Sequence, residues 1–238
     1  MSVNSSSGSM DSMDSVDSVD SSPALSQGLN VGDRFKNMTV PELQEHYRNR
    51  SGKNIVMCLN PDKDRNIGSV MRTACAHYFW KCVVIGRRKV DLRSSVGMHH
   101  YIPIEYVDAS TGVHRTDLDI PLINKYLVDI AKTHIIIMCE LDESNVSPYG
   151  MWKKLSQDGN KGKPYAFLLG NEQNGIPRGI LNCPDFEKII VQLKMNDFVR
   201  SFNMSNTFSM ISNYLLDTDH CEIYREIREE NRIKVSVL

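Results

Sequence analysis

Three short polar segments in this 238-residue chain hold the side chains best suited to chemistry. The first runs Asn60-Pro61-Asp62-Lys63-Asp64-Arg65-Asn66-Ile67-Gly68 and leads towards Arg72. Asn66 stands where a helix N-cap belongs, and Gly68 and Arg72, four apart, share one helix face. An arginine beside a helix start suits a phosphate or a ribose oxygen, although an ordinary cap and a surface arginine give the same pattern. The second segment sets Asn171, Glu172, Gln173 and Asn174 between Gly170 and Gly175, directly after an apolar run. Its glycines permit a ligand to approach the backbone closely. It is neither a dinucleotide fingerprint nor a phosphate-binding loop with its lysine. The third is Arg200-Ser201-Phe202-Asn203-Met204-Ser205 at the head of the last helix. There Asn203 offers both a donor and an acceptor, and Ser201 reads equally as a plain N-cap.

The elements that must position these segments are legible as periodicities. Asn54–Leu59, Cys82–Ile85, His134–Cys139, Tyr165–Leu169 and Lys188–Val191 are short apolar runs of strand type, and 102–107 reads as extended. Between them, Ile67, Val70, Met71, Ala74, Cys75 and Tyr78 recur at helical spacing, and 119–132 is helical too. Met204, Phe208, Ile211 and Leu215 mark one face of a long final helix. Strands that are apolar throughout and separated by helices predict an α/β domain: a mostly parallel sheet with helices on both faces. Ligands of such sheets gather beyond the carboxyl ends of the strands, where the polar segments fall.

Thr39-Val40-Pro41-Glu42 has the form of a capping box with proline inside the first turn, which predicts a short helix at about 41–49 within a segment 39–50. Ahead of it, residues 1–38 read as a disordered acidic, Ser-rich tail, most clearly over 1–30, where Asp11, Asp14, Asp17 and Asp20 are the only charges. Residues 51–238 form the folded domain with its C-terminal helix. The whole chain balances 28 basic against 29 acidic residues. The part beyond residue 30 holds 28 against 25, which neither demands nor excludes a nucleic acid. Six scattered cysteines without a C-x-x-C pair read as reduced, mostly buried thiols of an intracellular, reducing compartment, cytoplasmic above all. No His/Cys spacing suits a metal, and none is expected. The longest apolar runs, Ile135–Cys139 among them, are far short of the roughly 20 residues of a membrane helix. Neither a secretory signal nor a transit peptide is expected at the N-terminus.

Taken in order, N-x-G-x-x-x-R-T-A (Asn66, Gly68, Arg72, Thr73, Ala74), L-x-G-x-E-x-x-G (Leu168, Gly170, Glu172, Gly175) and S-x-N-x-S (Ser201, Asn203, Ser205) resemble the three motifs of the SpoU/TrmH branch of the SPOUT RNA methyltransferases. Gly86-Arg87-Arg88, Val96-Gly97-Met98 and Ile102-Pro103-Ile104 resemble the region around that family's second strand. The likeness spans about residues 51–220.

This resemblance implies a SPOUT fold whose C-terminal segment forms a deep trefoil knot. It further implies a homodimer that transfers a methyl group from S-adenosylmethionine to a ribose 2′-hydroxyl of tRNA or rRNA. The matching cofactor positions are Leu169, Gly170, Val191, Leu193, Ser201 and Phe202. Those carried over for the chemistry are Asn66, Arg72, Glu172, Ser201 and Asn203. A guanidinium is a poor base, so Arg72 is expected to hold the RNA phosphate and stabilise charge on the 2′-oxygen. Arg87, Arg88, Lys89 and Arg93 are the expected RNA contacts. Ser205, Ser209 and Ser212 suit close packing of the last helix or simple exposure to solvent.

Three positions depart from the family pattern. Gln192 replaces the usual proline of I-P-M, read here as Val191-Gln192-Leu193, and Phe202 and Met204 are bulkier than usual. These departures favour a second reading, a catalytically silent SPOUT-fold RNA-binding or ribosome-assembly factor. The presence of every polar motif residue favours the enzyme.

Overall fold

The computed structural model describes residues 31–86, 90–112, 117–196 and 198–217. Helix α1 (Val40–Arg50) opens on the predicted capping box: Thr39 accepts from the Glu42 N–H, and Glu42 accepts from the Thr39 N–H at 2.7 Å. Val31, Phe35 and Met38, expected within the tail, pack against the core, and the Phe35 ring lies 4.8 Å from that of His46. Apolar surface at these three positions offsets the cost of ordering residues 31–38.

Beyond α1 the order is β1 (Ile55–Leu59), α2 (Asp64–Ala76), β2 (Lys81–Ile85), β3 (Ile104–Val107), α3 (Ile120–Ala131) and β4 (Ile135–Cys139). Then follow α4 (Pro148–Leu155), β5 (Tyr165–Leu169), α5 (Arg178–Leu181), β6 (Lys188–Val191) and α6 (Met204–Asp217). Strand β3 is shorter than the extended reading of 102–107, because Ile102 closes a 3-10 turn and is buried there. All pairings are parallel, in the order β3-β2-β1-β5-β4-β6. Alternate side chains of each strand face opposite layers. Val56, Cys58, Val84, Ile137, Phe167 and Val191 join α1, α2, α4 and α6 in one core. Met57, Val83, Met138, Leu168 and Ile190 join α3 and α5 in the other. That is the predicted sheet, covered on both faces.

Two features of this arrangement set up the site. The chain lays β1, β2 and β3 outward in one direction, then crosses to place β4, β5 and β6 on the other side. The reversal falls between β1 and β5, and loops leaving adjacent strands at such a point open a crevice. Those loops are 60–63 and 170–177. Asn171 ties them together by donating Nδ2 to the Asn60 carbonyl at 2.6 Å.

The second feature is the seam between α2 and α6. Thr73 and Ser209 hydroxyls meet at 2.9 Å, and His77 Nδ1 lies 3.0 Å from Ser212 Oγ. The small serines are therefore spent on packing within the chain, with Ser212 buried. Phe79, Phe167 and Phe208 close the seam from below, with ring centroids 5.3 to 5.9 Å apart. This packing fixes the start of α6, and with it the third motif, against the start of α2.

Candidate functional site

Asn66 differs from its sequence reading. Helix α2 begins at Asp64, and its N-cap position is Lys63, whose own side chain makes no capping bond. Glu172 does the work from another loop. Its Oε2 accepts from the Asp62 N–H at 2.8 Å, and its Oε1 accepts from the Lys63 N–H at 3.2 Å. A carboxylate at a helix N-terminus also complements the helix dipole. Asn66 is thereby released from capping and turns inward, donating Nδ2 to Glu172 Oε1 at 2.6 Å. Its Oδ1 in turn accepts from Asn203 Nδ2 at 3.0 Å. The Asn203 Oδ1 caps α6 by accepting from the Ser205 N–H at 2.9 Å and hydroxyl at 2.7 Å. Asn203 therefore holds the cap position that Ser201 was read as filling; Ser201 lies two residues upstream and is exposed.

One hydrogen-bonded chain, Glu172–Asn66–Asn203, thus joins all three polar segments. Each amide has a single orientation compatible with its neighbours, because Glu172 only accepts and Asn66 must donate to it. Arg72 is exposed on α2, six residues beyond Asn66, or about 9 Å along the axis.

Beside the chain lies a cavity of about 490 Å³, within the ordinary range for a small-molecule site. All six positions read as cofactor-binding line it: Leu169, Gly170, Val191, Leu193, Ser201 and Phe202. Phe202 is 39% exposed and forms a wall, so its bulk leaves the cavity open. Gly170 lets two backbone stretches touch: a Cβ there would lie 2.6 Å from the carbonyl carbon of Gly175. The walls combine aliphatic side chains with exposed loop backbone, which suits a compact ligand with an apolar body and polar ends.

The end of β4 contributes a part that the motif reading missed. Glu140 lines the cavity, and its carboxylate accepts from the Ile176 N–H at 2.6 Å and the Leu141 N–H at 2.9 Å. Gly175, at φ +64°, is glycine for a second reason as well, since a Cβ would overlap that carboxylate. A polar residue directly after an apolar strand was the available signal. Met195, Arg200 and Thr207 also line the cavity.

Gln192 does what a proline cannot. Its N–H donates to the Val146 carbonyl at 3.0 Å, extending the β6 edge onto the segment before α4, and its side chain accepts from Asn145. Met204 is buried in the core as well as reaching the cavity.

Of the expected RNA contacts, Arg87, Arg88 and Lys89 lie outside the described residues. Arg93 is exposed and paired with Asp91, its Nε donating at 2.7 Å. Those contacts hold the Asp91 carboxyl down to about 2. The 3-10 turn that begins at Arg93 packs on α2 where Gly68 leaves room; a Cβ there would lie 2.5 Å from the Ser95 nitrogen. Among the described residues, no cluster of His, Cys, Asp and Glu could hold a metal ion, and no helix is long and apolar enough to cross a membrane. The five described cysteines are free thiols, four of them buried; Cys221 lies outside the described residues.

A parallel sheet with a polar crevice at its switch point and a small-molecule cavity beside it defines a ligand-binding α/β domain. Residues 53–213 match the SpoU rRNA Methylase family, and the chain belongs to that family. Similar solved structures include the TrmH/SpoU tRNA modifying enzyme of A. aeolicus, with 20% identity and a TM-score of 0.55, covering 81% of this chain and 84% of that one. An AdoMet-bound rRNA methyltransferase from Sinorhizobium meliloti has 18% identity and a TM-score of 0.52, covering 72% and 58%. The SpoU methyltransferase AviRb from Streptomyces viridochromogenes, in complex with AdoMet, has 20% identity and a TM-score of 0.50, covering 74% and 58%. The chain thus spans 58% of the length of the last two proteins. No curated protein sequence matches it significantly.

Proposed function

We propose that this chain is an AdoMet-dependent RNA 2′-O-ribose methyltransferase acting on tRNA or rRNA. The observation that carries this reading is the Glu172–Asn66–Asn203 chain beside a cavity lined by every position expected to hold the cofactor. Leu169, Val191, Leu193 and Phe202 would hold the apolar parts of AdoMet, while Gly170 and Ser201 present backbone and hydroxyl groups. AdoMet, when bound, supplies an electrophilic methyl group on a sulfonium and departs as a neutral thioether.

The protein's own contribution is placement and electrostatics. Glu172 is engaged by three donors and so fixes the loop rather than moving a proton. Asn66 fixes Asn203 through their direct hydrogen bond, and the exposed Asn203 side chain orients the ribose. Arg72 holds the adjoining phosphate and stabilises negative charge growing on the 2′-oxygen, whose proton passes to solvent. Alignment of the oxygen with the methyl carbon supplies most of the acceleration.

Two further expectations belong to this reading. The segment after β6 threads an earlier loop as a trefoil knot; in support, it leaves the sheet edge beside β4 and returns to pack α6 on α2. The protein works as a homodimer, for which the exposed Phe198, Phe202 and Met210 around α6 offer apolar surface. Incubation with radiolabelled AdoMet and total RNA tests the reading: label must enter RNA. Cofactor binding without transfer to any RNA would instead favour the silent scaffold.

A further inference from the structure

Helix α4 carries a surface that the methyl-transfer site does not use. Met151 and Leu155, four apart, bury one face of it in the core. The outward face presents Tyr149, which is 53% exposed. Its ring stacks on Trp152 with centroids 5.6 Å apart and planes 21° from parallel, and the Lys153 ammonium lies 4.9 Å from its centroid. Lys154, Lys161 and Lys163 continue the exposed positive charge through the turn after the helix, against Asp158 alone. Among the described residues, no carboxylate lies within ion-pair distance of these four lysines.

The helix dipole accounts for Lys153 and Lys154, which sit in the last turn. It does not account for Lys161 and Lys163 beyond the helix, nor for a tyrosine left half in water. An exposed aromatic flanked by unpaired cations is what an unpaired base and its phosphates require: a face to stack on and charges to displace counterions. The position also suits that use. Val146, two residues before α4, bridges Val191, a wall of the cavity, so the helix starts at the cavity rim. It then leads away for about 12 Å. Lys154 and Lys163 lie further along, lining a groove of about 850 Å³ with Lys132 and Lys188, whose acidic lining residues are Asp142, Asp185 and Glu187.

We propose that the outer face of α4 and the turn after it, Tyr149 through Lys163, form a track for a single-stranded stretch of the substrate RNA leading to the cavity. This rests on the RNA-methylation reading above. A base stacks on Tyr149 in place of the Lys153 ammonium, which moves to the neighbouring phosphate, and Lys154, Lys161 and Lys163 neutralise the phosphates that follow.

The test uses the full chain, fluorescently labelled unstructured RNA and unfractionated tRNA, over a range of salt. Tyr149→Ala removes the stacking face and should weaken RNA binding about tenfold. Lys161→Glu with Lys163→Glu should weaken it at least as much and flatten the dependence of log K on log salt by about 1.4 units, two single-strand contacts. AdoMet affinity, titrated calorimetrically, should stay at the wild-type value in both variants, which shows that they are folded. If both variants bind RNA as the wild type does while the wild type methylates it, the track is wrong and the methyltransferase reading stands. If the wild type neither binds nor methylates RNA, both fall together. If polyglutamate of matching charge competes as well as RNA does, the surface serves acidic peptides and the RNA track is overturned.

Discussion

Asn203 donates its Nδ2 to Asn66 Oδ1 at 3.0 Å, joining the first turn of α6 to the first turn of α2 across 137 residues of sequence. Because Asn66 passes its own donor on to Glu172, the three loops hold one another at fixed angles. A disturbance at either end of this chain should therefore be felt at the other.

Glu172→Gln tests that transmission. Glutamine offers one acceptor oxygen where Glu172 receives three donors, so its amide nitrogen must oppose at least one of them. Turnover is expected to fall by about 100-fold, the usual penalty for misplaced reacting groups. Thermal stability should drop with it. Unchanged steady-state kinetics with a normal melting curve would remove Glu172 from the site.

Arg72→Lys keeps the charge and loses the planar fork. If Arg72 binds phosphate and stabilises the developing oxyanion through two directed donors, turnover falls about 100-fold. The AdoMet dissociation constant should stay within a few-fold. Near-full turnover of the lysine variant would show that fork geometry is irrelevant.

The Glu140–Gly175 contact predicts a non-additive pair. Gly175→Ala forces a Cβ onto the Glu140 carboxylate at a positive φ and should cost at least about 1 kcal/mol of stability. Glu140→Ala abandons the Ile176 and Leu141 N–H groups. In the double variant the obstructing carboxylate is gone. The combined loss measured by urea unfolding should then be smaller than the two single losses added, by about 0.5 kcal/mol or more.

Much of this arrangement was legible in the sequence, and the parts that were not share a cause. The strands and the buried stripe of α6 followed from periodicity, because Met204, Phe208, Ile211 and Leu215 all face the core. Motif order singled out six positions for a cofactor, and all six line the cavity beside the Glu172–Asn66–Asn203 chain. What escaped was partnership across distance. Asn66 looked like an N-cap because nothing local shows that Glu172, 106 residues away, already serves that helix end. Ser209 and Ser212 were open to several readings because their partners, Thr73 and His77, lie on another helix. Gln192 looked like a defect in a motif, and its N–H instead secures the strand edge to Val146.

His77 gives the protein a pH signature. Partial burial in the α2–α6 seam pushes its imidazole down to about 4, against about 6.5 in an unfolded chain. Its folded form is neutral, so the stability it permits is complete above about pH 6.5 and is lost as pH falls through the window towards 4. Melting temperatures between pH 7.5 and 4.5 should therefore decline more steeply for the wild type than for His77→Gln. Parallel curves would show that His77 is not held neutral.

The chemical form of the product tests the central claim most directly. RNA labelled from AdoMet should be digested with alkali, which cuts beside every free 2′-hydroxyl and spares a methylated one. The account predicts that the label survives in alkali-resistant dinucleotides and disappears from the product when Arg72 is changed. Label recovered in mononucleotides, on a base rather than the sugar, would contradict it.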